Sequence, residues 1–508
     1  MRTTQRTGLA VAGALALVCG AAALPASAAE PTGLDRYYTQ DLDWYACALG
    51  PDDETGQRLD AAGARCAELT VPLDYTEPDG RTLTVAVSRL AATDPDERVG
   101  PLLLNNGGPG GASLDMPLTV GRAMGAVAEQ YDLIGVDPRF VGRSTPLDCG
   151  WDIGTAVFSA GMDRAAFRES VAVQRDLAER CERTEGDVLP YVTTRNTARD
   201  MDVLRGALGE RKISYLGYSY GSYLGQVYTR MFPGRTDRMV LDGVPSAAQY
   251  SQTLLAGNER VGQRALRAWA DWAAERDADY GLGATRAEVL ATVDRVLRAA
   301  AEEPLRVGDF TVDEHFAPLV FFIPLFSDLP ENRAVLADMA VTLVRAADRE
   351  PDVRPDPVLE EVLTGLLTGQ GSAAASVQTA IICGDVAERR GIGSYWKAVQ
   401  SARTVSPVVG PIARNISACE FWDAPVERPT VIDNDVPALL VNATGDTRTR
   451  YESARQVRAQ WPSSRLVTVA GAGQHGIFGE YGNACADRQV NTYLDTGRLP
   501  GRDVTCQK

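Results

Sequence analysis

Apolar and polar residues alternate in two runs near the start of the chain. Leu69-Thr70-Val71-Pro72-Leu73 and, past the Pro78-Asp79-Gly80 turn, Leu83–Ser88 have the period of two that marks strands with one face buried. Later apolar runs do not alternate. Pro101–Leu104, Asp132–Val136, Ile213–Leu216 and Met239–Leu241 are short and continuous, as strands covered on both faces of a parallel sheet should be. Helical stretches lie between them, Arg164–Cys181 and Asn196–Leu208, the second with Met201, Leu204 and Leu208 at helical spacing. An antiparallel start followed by β-α repeats predicts a doubly wound, mostly parallel α/β sheet.

After Asp242 the rhythm stops. Residues 244–430 carry helical patterns such as Glu259–Arg276 and Thr285–Ala301, with the apolar run Leu319–Leu325 and no β-α alternation. A buried-strand pattern returns at Val436–Val441, then a helix at Tyr451–Trp461 and a last strand at Ser464–Val469. The organisation expected is a core begun by residues 29–243, interrupted by a large, mainly helical cap at 244–430 and completed by 431–508.

Residues 1–28 stand apart from this scheme. Arg2 and Arg6 precede an apolar, Ala-rich stretch that ends in Ala26-Ser27-Ala28, the layout of a secretory signal peptide cut after Ala28. The stretch is short for a membrane span and no charged stop follows it. Val18 before Cys19 does not suit a lipid-anchored precursor. The protein is therefore expected outside the cell, with no membrane partner. Eight cysteines follow Cys19, an even number that suits disulfides in an exported chain. Eight allow 105 pairings; joining neighbours, 47–66, 149–181, 383–419 and 485–506, is the simplest. No pair has zinc-finger spacing and only two histidines exist, so neither a metal nor any other cofactor is expected. The net charge of −16, with no basic cluster, argues against nucleic acid and favours cationic ligands such as a peptide amino terminus.

Candidate chemistry centres on Gly217-Tyr218-Ser219-Tyr220-Gly221, where a predicted strand meets a predicted helix. A serine on such a tight turn exposes its hydroxyl at the sheet edge, whereas the same string elsewhere is only a glycine-rich turn. Serine needs a base. His315 falls in the cap, where a packing or surface role is expected. His475 lies in a glycine-rich loop past the strand at 464–469, in the position of a general base. Asp446 follows the strand at 436–441 and completes the order Ser219, Asp446, His475. Asp137 and Asp242 also follow strands but come early; Asp242 reads as a structural or helix-capping acid at the mouth of the site. Oxyanion donors are expected at the amides of Tyr220 and of Gly108, the latter in Asn105-Asn106-Gly107-Gly108-Pro109-Gly110-Gly111. That loop lacks the Lys of a phosphate loop.

Taken together, Asn106–Gly111, Asp137-Pro138-Arg139 with Gly142-Arg143-Ser144, Gly217–Gly221, Val240–Gly243, Asp446 and His475-Gly476 resemble the secreted tripeptidyl aminopeptidase group of actinobacteria, α/β-hydrolase serine peptidases related to prolyl iminopeptidases. The resemblance implies an α/β-hydrolase fold, release of short peptides from a free N-terminus, and cap acids that hold the substrate amine, for which Asp385, Glu388 and Glu420 are candidates. Two departures stand out. Phe140 occupies a position that is usually Gly, which could reshape the wall near the oxyanion loop. Thr447-Arg448-Thr449-Arg450 replaces a commoner Thr-Pro-type sequence, so the loop holding Asp446 is expected to differ. The alternatives are a carboxylesterase on the same scaffold and, less compatible with an intact Ser, His and Asp, a non-catalytic binding protein.

Overall fold

The computed structural model describes residues 33–253 and 255–508; the signal segment 1–28 and Cys19 lie outside them. Nine strands form one sheet in the order β1-β2-β4-β3-β5-β6-β9-β10-β11. They are β1 (Arg65–Pro72), β2 (Thr82–Leu90), β3 (Gly100–Asn105), β4 (Tyr131–Val136), β5 (Ile213–Tyr218), β6 (Thr236–Asp242), β9 (Ala438–Ala443), β10 (Ser464–Ala470) and β11 (Val504–Gln507). A separate small hairpin supplies β7 (Leu305–Val307) and β8 (Phe310–Val312). The β1–β2 and β2–β4 pairs are antiparallel and all the others in the large sheet are parallel.

Burial explains the two sequence textures. Every residue of β3, β4, β5 and β9 is buried, because helices cover both faces. One face packs around Leu103, Ile134, Tyr215 and Leu241, and the other around Leu104, Leu133, Leu216 and Val441. This is the α/β-hydrolase arrangement. It holds one strand more than the pattern suggested: β11 follows β10 and pairs with it in parallel. Four residues are too few to carry a periodicity.

The chain between β6 and β9 is a mainly helical insertion, the segment expected to be the cap and called so below. Its helices, among them Glu259–Ala274, Arg286–Glu302 and Pro330–Ala347, enclose their own apolar core around Trp269, Leu297, Phe321 and Leu343. Phe158, which precedes β5 in sequence, belongs to that cap core. The neighbouring backbone is tied to the cap as well: Cys149 N–H donates to Ser376 Oγ (3.1 Å) and Trp151 N–H to Ser372 Oγ (2.7 Å). Part of the 137–193 segment therefore serves the cap although it lies within 29–243. Among the described residues no helix is long and apolar enough to cross a membrane.

Four disulfides join Cys47–Cys66, Cys149–Cys181, Cys383–Cys419 and Cys485–Cys506, the neighbour-to-neighbour pattern. Loops of 19 to 36 residues closed in this way contribute about 3–4 kcal/mol each on the chain-entropy account.

Phe140 adopts a left-handed backbone of the kind that favours glycine, with φ at +68°. A side chain there costs roughly 1–2 kcal/mol. The ring is buried in the core beside Val141 and Leu147 and does not line the cavity described next, so the wall near the oxyanion loop is not reshaped by it.

Candidate active site

Ser219 stands between β5 and the helix Tyr220–Met231 with φ +56° and ψ −123°, a strained backbone for a residue other than glycine. Its neighbours make the turn possible. A Cβ on Gly217 would lie 2.5 Å from Gly221 O, and one on Gly221 would lie 2.7 Å from Asn105 O, so both positions require glycine. Ser219 N–H donates to Asp242 O (2.8 Å) and Ser222 Oγ donates to Ser219 O (2.7 Å), which fixes the turn from below.

His475 lies in the loop after β10. Its Nδ1 is 2.9 Å from Asp446 Oδ2 and 3.1 Å from Oδ1. Carboxylate oxygens only accept, so the proton sits on Nδ1 and Nε2 is left with a lone pair, the tautomer that a general base needs. Asp446 is buried, 1% exposed, and densely held. The amides of Arg448 (2.7 Å) and Thr449 (2.9 Å) donate to Oδ1, and Thr449 Oγ1 donates to Oδ2 (2.7 Å). Thr449 Oγ1 also lies 3.3 Å from His475 Nδ1. The altered sequence after the acid thus still wraps the carboxylate.

The Asn105–Gly111 loop rests on the serine turn. A Cβ on Gly107, whose φ is +100°, would be 2.5 Å from Tyr218 O and 3.1 Å from Ser219 Cβ. Among the described residues neither the Gly108 nor the Tyr220 amide N–H has a protein acceptor. Gly108, Ser219, Tyr220, Thr449 and His475 line one cavity of about 440 Å³, together with Tyr250, Ile323, Phe326 and Arg448. The arrangement can deliver a hydroxyl to a carbonyl, receive its proton on a ring nitrogen and offer two amides to the resulting oxyanion.

Asp242 is neither a helix cap nor at the mouth of the site. It is fully buried below the site, and its Oδ2 accepts the amides of Ile477 (2.9 Å) and Phe478 (2.8 Å), just past the histidine. Tyr218 OH donates to Phe478 O (2.7 Å). Burial pushes the Asp242 carboxyl up to about 7 against the pull of those two amides. Asp137 ties its own loop to the one after β3, accepting from the amides of Arg143 and Ser113. His315 is buried against Ser159 O (2.8 Å) and Phe158, a packing role.

None of the three acids expected to hold a substrate amine lines the cavity. Asp385 accepts from the amide and hydroxyl of Thr194 and from Tyr250 OH (2.8 Å), and burial pushes it up to about 6. Glu420 accepts the amides of Arg390 (2.8 Å) and Gly391 (2.9 Å). Glu388 is solvent-exposed beside Arg390. Partners inside the fold satisfy the first two, and the third faces water.

Thr449 and the Asp242 tether were not anticipated. A short-range signal existed for the first, since a hydroxyl three residues after an aspartate readily joins its turn. None existed for the second, whose partners are 235 residues away.

A family described as "alpha/beta hydrolase fold" matches residues 100–295, and one described as "TAP-like protein" matches residues 406–506. The chain is similar to the tripeptidyl aminopeptidase of Streptomyces lividans, with 33% identity covering 92% of this chain and 86% of the relative. It is also similar to the serine protease Hip1 of Mycobacterium tuberculosis, with 28% identity covering 92% and 91%. Carboxylesterase B of the same organism is 29% identical over 87% of this chain and 86% of its own length. At this identity and coverage the chain belongs to the tripeptidyl aminopeptidase family of α/β-hydrolase serine peptidases.

Proposed function

We propose that this chain releases short peptides, three residues long in the family's typical reaction, from the free N-terminus of peptide substrates through a Ser219–His475–Asp446 triad. Ser219 Oγ attacks the scissile carbonyl as His475 Nε2 takes its proton, and Asp446 holds the ring and stabilises the imidazolium. The amides of Gly108 and Tyr220 receive the oxyanion. His475 then protonates the departing amine, and water releases the peptide from the acyl-serine. The observation that carries this reading is the 2.9 Å bond between Asp446 and His475 Nδ1 at a cavity also lined by Ser219. Replacing Ser219 by Ala should lower turnover roughly 10⁶-fold; near-normal turnover refutes the triad.

Free-amine specificity rests on family membership. The similarity to a carboxylesterase keeps ester cleavage as a second reading. Assay of the mature protein on free-amine and N-blocked tripeptidyl anilides beside aryl esters separates them. Hydrolysis of only the free-amine anilides is the expected result, equal cleavage of blocked peptides indicates an endopeptidase, and ester-only activity an esterase.

The protein is further proposed to be exported, a reading supported by the four disulfides and the 1–28 segment. Protein recovered from the culture medium should begin at Ala29, and retention of residues 1–28 overturns this.

A further inference from the structure

We propose that Arg448 forms an anion subsite inside the catalytic cavity, which receives a carboxylate of the peptide substrate. The inference rests on the peptidase reading above and adds the chemical class of what is bound. Arg448 lines the same cavity as Ser219 and His475, and no Asp or Glu does. Its guanidinium stacks on Phe322, 3.9 Å from the ring centroid. Nη2 donates to the carbonyls of Phe322 (3.0 Å) and Ile323 (2.7 Å), and Nη1 donates to Thr447 Oγ1 (2.9 Å). Those contacts occupy three of the five N–H donors of a guanidinium. Among the described residues no acceptor takes the Nε–H or the second Nη1–H, and no carboxylate lies within ion-pairing reach.

The molecule answers another buried guanidinium differently. Where it encloses a guanidinium for structural reasons, at Arg139, Asp200 meets it with two bonds of 2.6 and 2.7 Å. Arg448 loses hydration without such a bond, and burial pulls it down to about 10 against the opposing charge of nearby Asp446, so it is still charged at neutral pH. A half-desolvated cation with spare donors favours an anion, and a carboxylate matches the planar fork of a guanidinium.

The carboxylate has two possible sources, the free C-terminus of a short peptide and an Asp or Glu side chain. Four substrates distinguish them: tetra-alanine acid, its C-terminal amide, and that amide with Glu or with Gln scanned through its positions. The mature wild type should favour the acid over its amide, or Glu over Gln at one position, by about tenfold in kcat/KM, the value of one charge-assisted bond. In Arg448→Gln the ratio should fall to near one, whatever the loss on the neutral peptides; Arg448→Lys should keep part of the preference. A wild-type ratio near one overturns the subsite. So does an Arg448→Gln variant that loses activity equally on all four, which would make the residue a structural tie. Binding to Ser219→Ala protein, measured by calorimetry, reads the subsite even if no peptide is cleaved. The acid should bind about tenfold more tightly than the amide, and equal binding, or none by either, overturns the proposal.

Discussion

β6 and β9 lie side by side, and each brings a buried aspartate to the His475 segment, yet the two carboxyls do different work. Asp446 lies three residues past the end of its strand, where the loop has curled enough for the amides of Arg448 and Thr449 and the Thr449 hydroxyl to surround it. It is left with an edge for the imidazole. Asp242 is the last residue of its strand and stays under the sheet rim, where it meets the backbone of Ile477 and Phe478 instead of the ring. Among the described residues its Oδ1 has no hydrogen-bond partner. In the proposed triad, orientation and the number of donors, more than position in the sheet, decide which acid assists the base.

The largest effect expected is from Asp446→Asn, which should lower kcat about 10⁴-fold by favouring the wrong tautomer of His475. If Asp242→Asn gave that loss and Asp446→Asn did not, the roles would be reversed. Asp242→Asn should lower kcat by about a hundredfold, because the loop carrying the base loses its anchor and misplaces the ring. It should also change how stability varies with pH. The Asp242 carboxyl titrates near 4 when unfolded and at about 7 when folded, beside His475 and Asp446. Between those values the folded state holds a proton that the unfolded state has released. Stability therefore falls as pH rises through this window, by a few kcal/mol at most, and the slope vanishes above it. Melting temperatures from pH 4 to 8 should show the decline in wild type and a flatter course in the variant; parallel courses contradict the assignment.

Thr449→Val tests whether the extra partner of Asp446 matters. One hydrogen bond to a charged group is removed, so kcat should fall about tenfold with KM little changed. An unchanged kcat would show that the two amides suffice. The smallest effect is expected at Glu420, an acid held like Asp242 by two backbone amides, but with no tie to the His475 loop. Glu420→Gln should leave KM for free-amine tripeptidyl anilides unaltered and cost about 1 kcal/mol of stability. A several-fold rise in KM would restore it as an amine anchor.

The alternation of Leu83–Ser88 and the unbroken apolar runs at 101–104 and 213–216 are readable because sheet position leaves a period in the sequence. Ser219 and His475 could be singled out for a different reason: a strained turn needs glycines on both sides, and histidine is rare in this chain. What could not be read depends on contacts between distant segments. The amides that occupy Glu420, the hydroxyls around Asp385 and the loop tethered by Asp242 have no local signature. Phe140 shows the opposite case, a residue that looked able to reshape the site because its type was unusual, while the backbone accommodated it and the core took the ring.

The cap enters the fold through a single crossover, residues 243–437, between adjacent parallel strands. Closing a loop costs only about 0.6 kcal/mol for each doubling of its length. Stretching a minimal crossover of about a dozen residues to this size therefore costs on the order of 2–3 kcal/mol, readily offset by the apolar core inside the cap. In evolutionary terms the gap between β6 and β9 is a socket. Because the chain leaves β6 just after Asp242, at the edge of the sheet that carries Ser219, whatever is inserted there sits beside that serine. A lineage can therefore exchange the insert and alter its diet while the frame that holds Ser219, Asp446 and His475 is inherited unchanged.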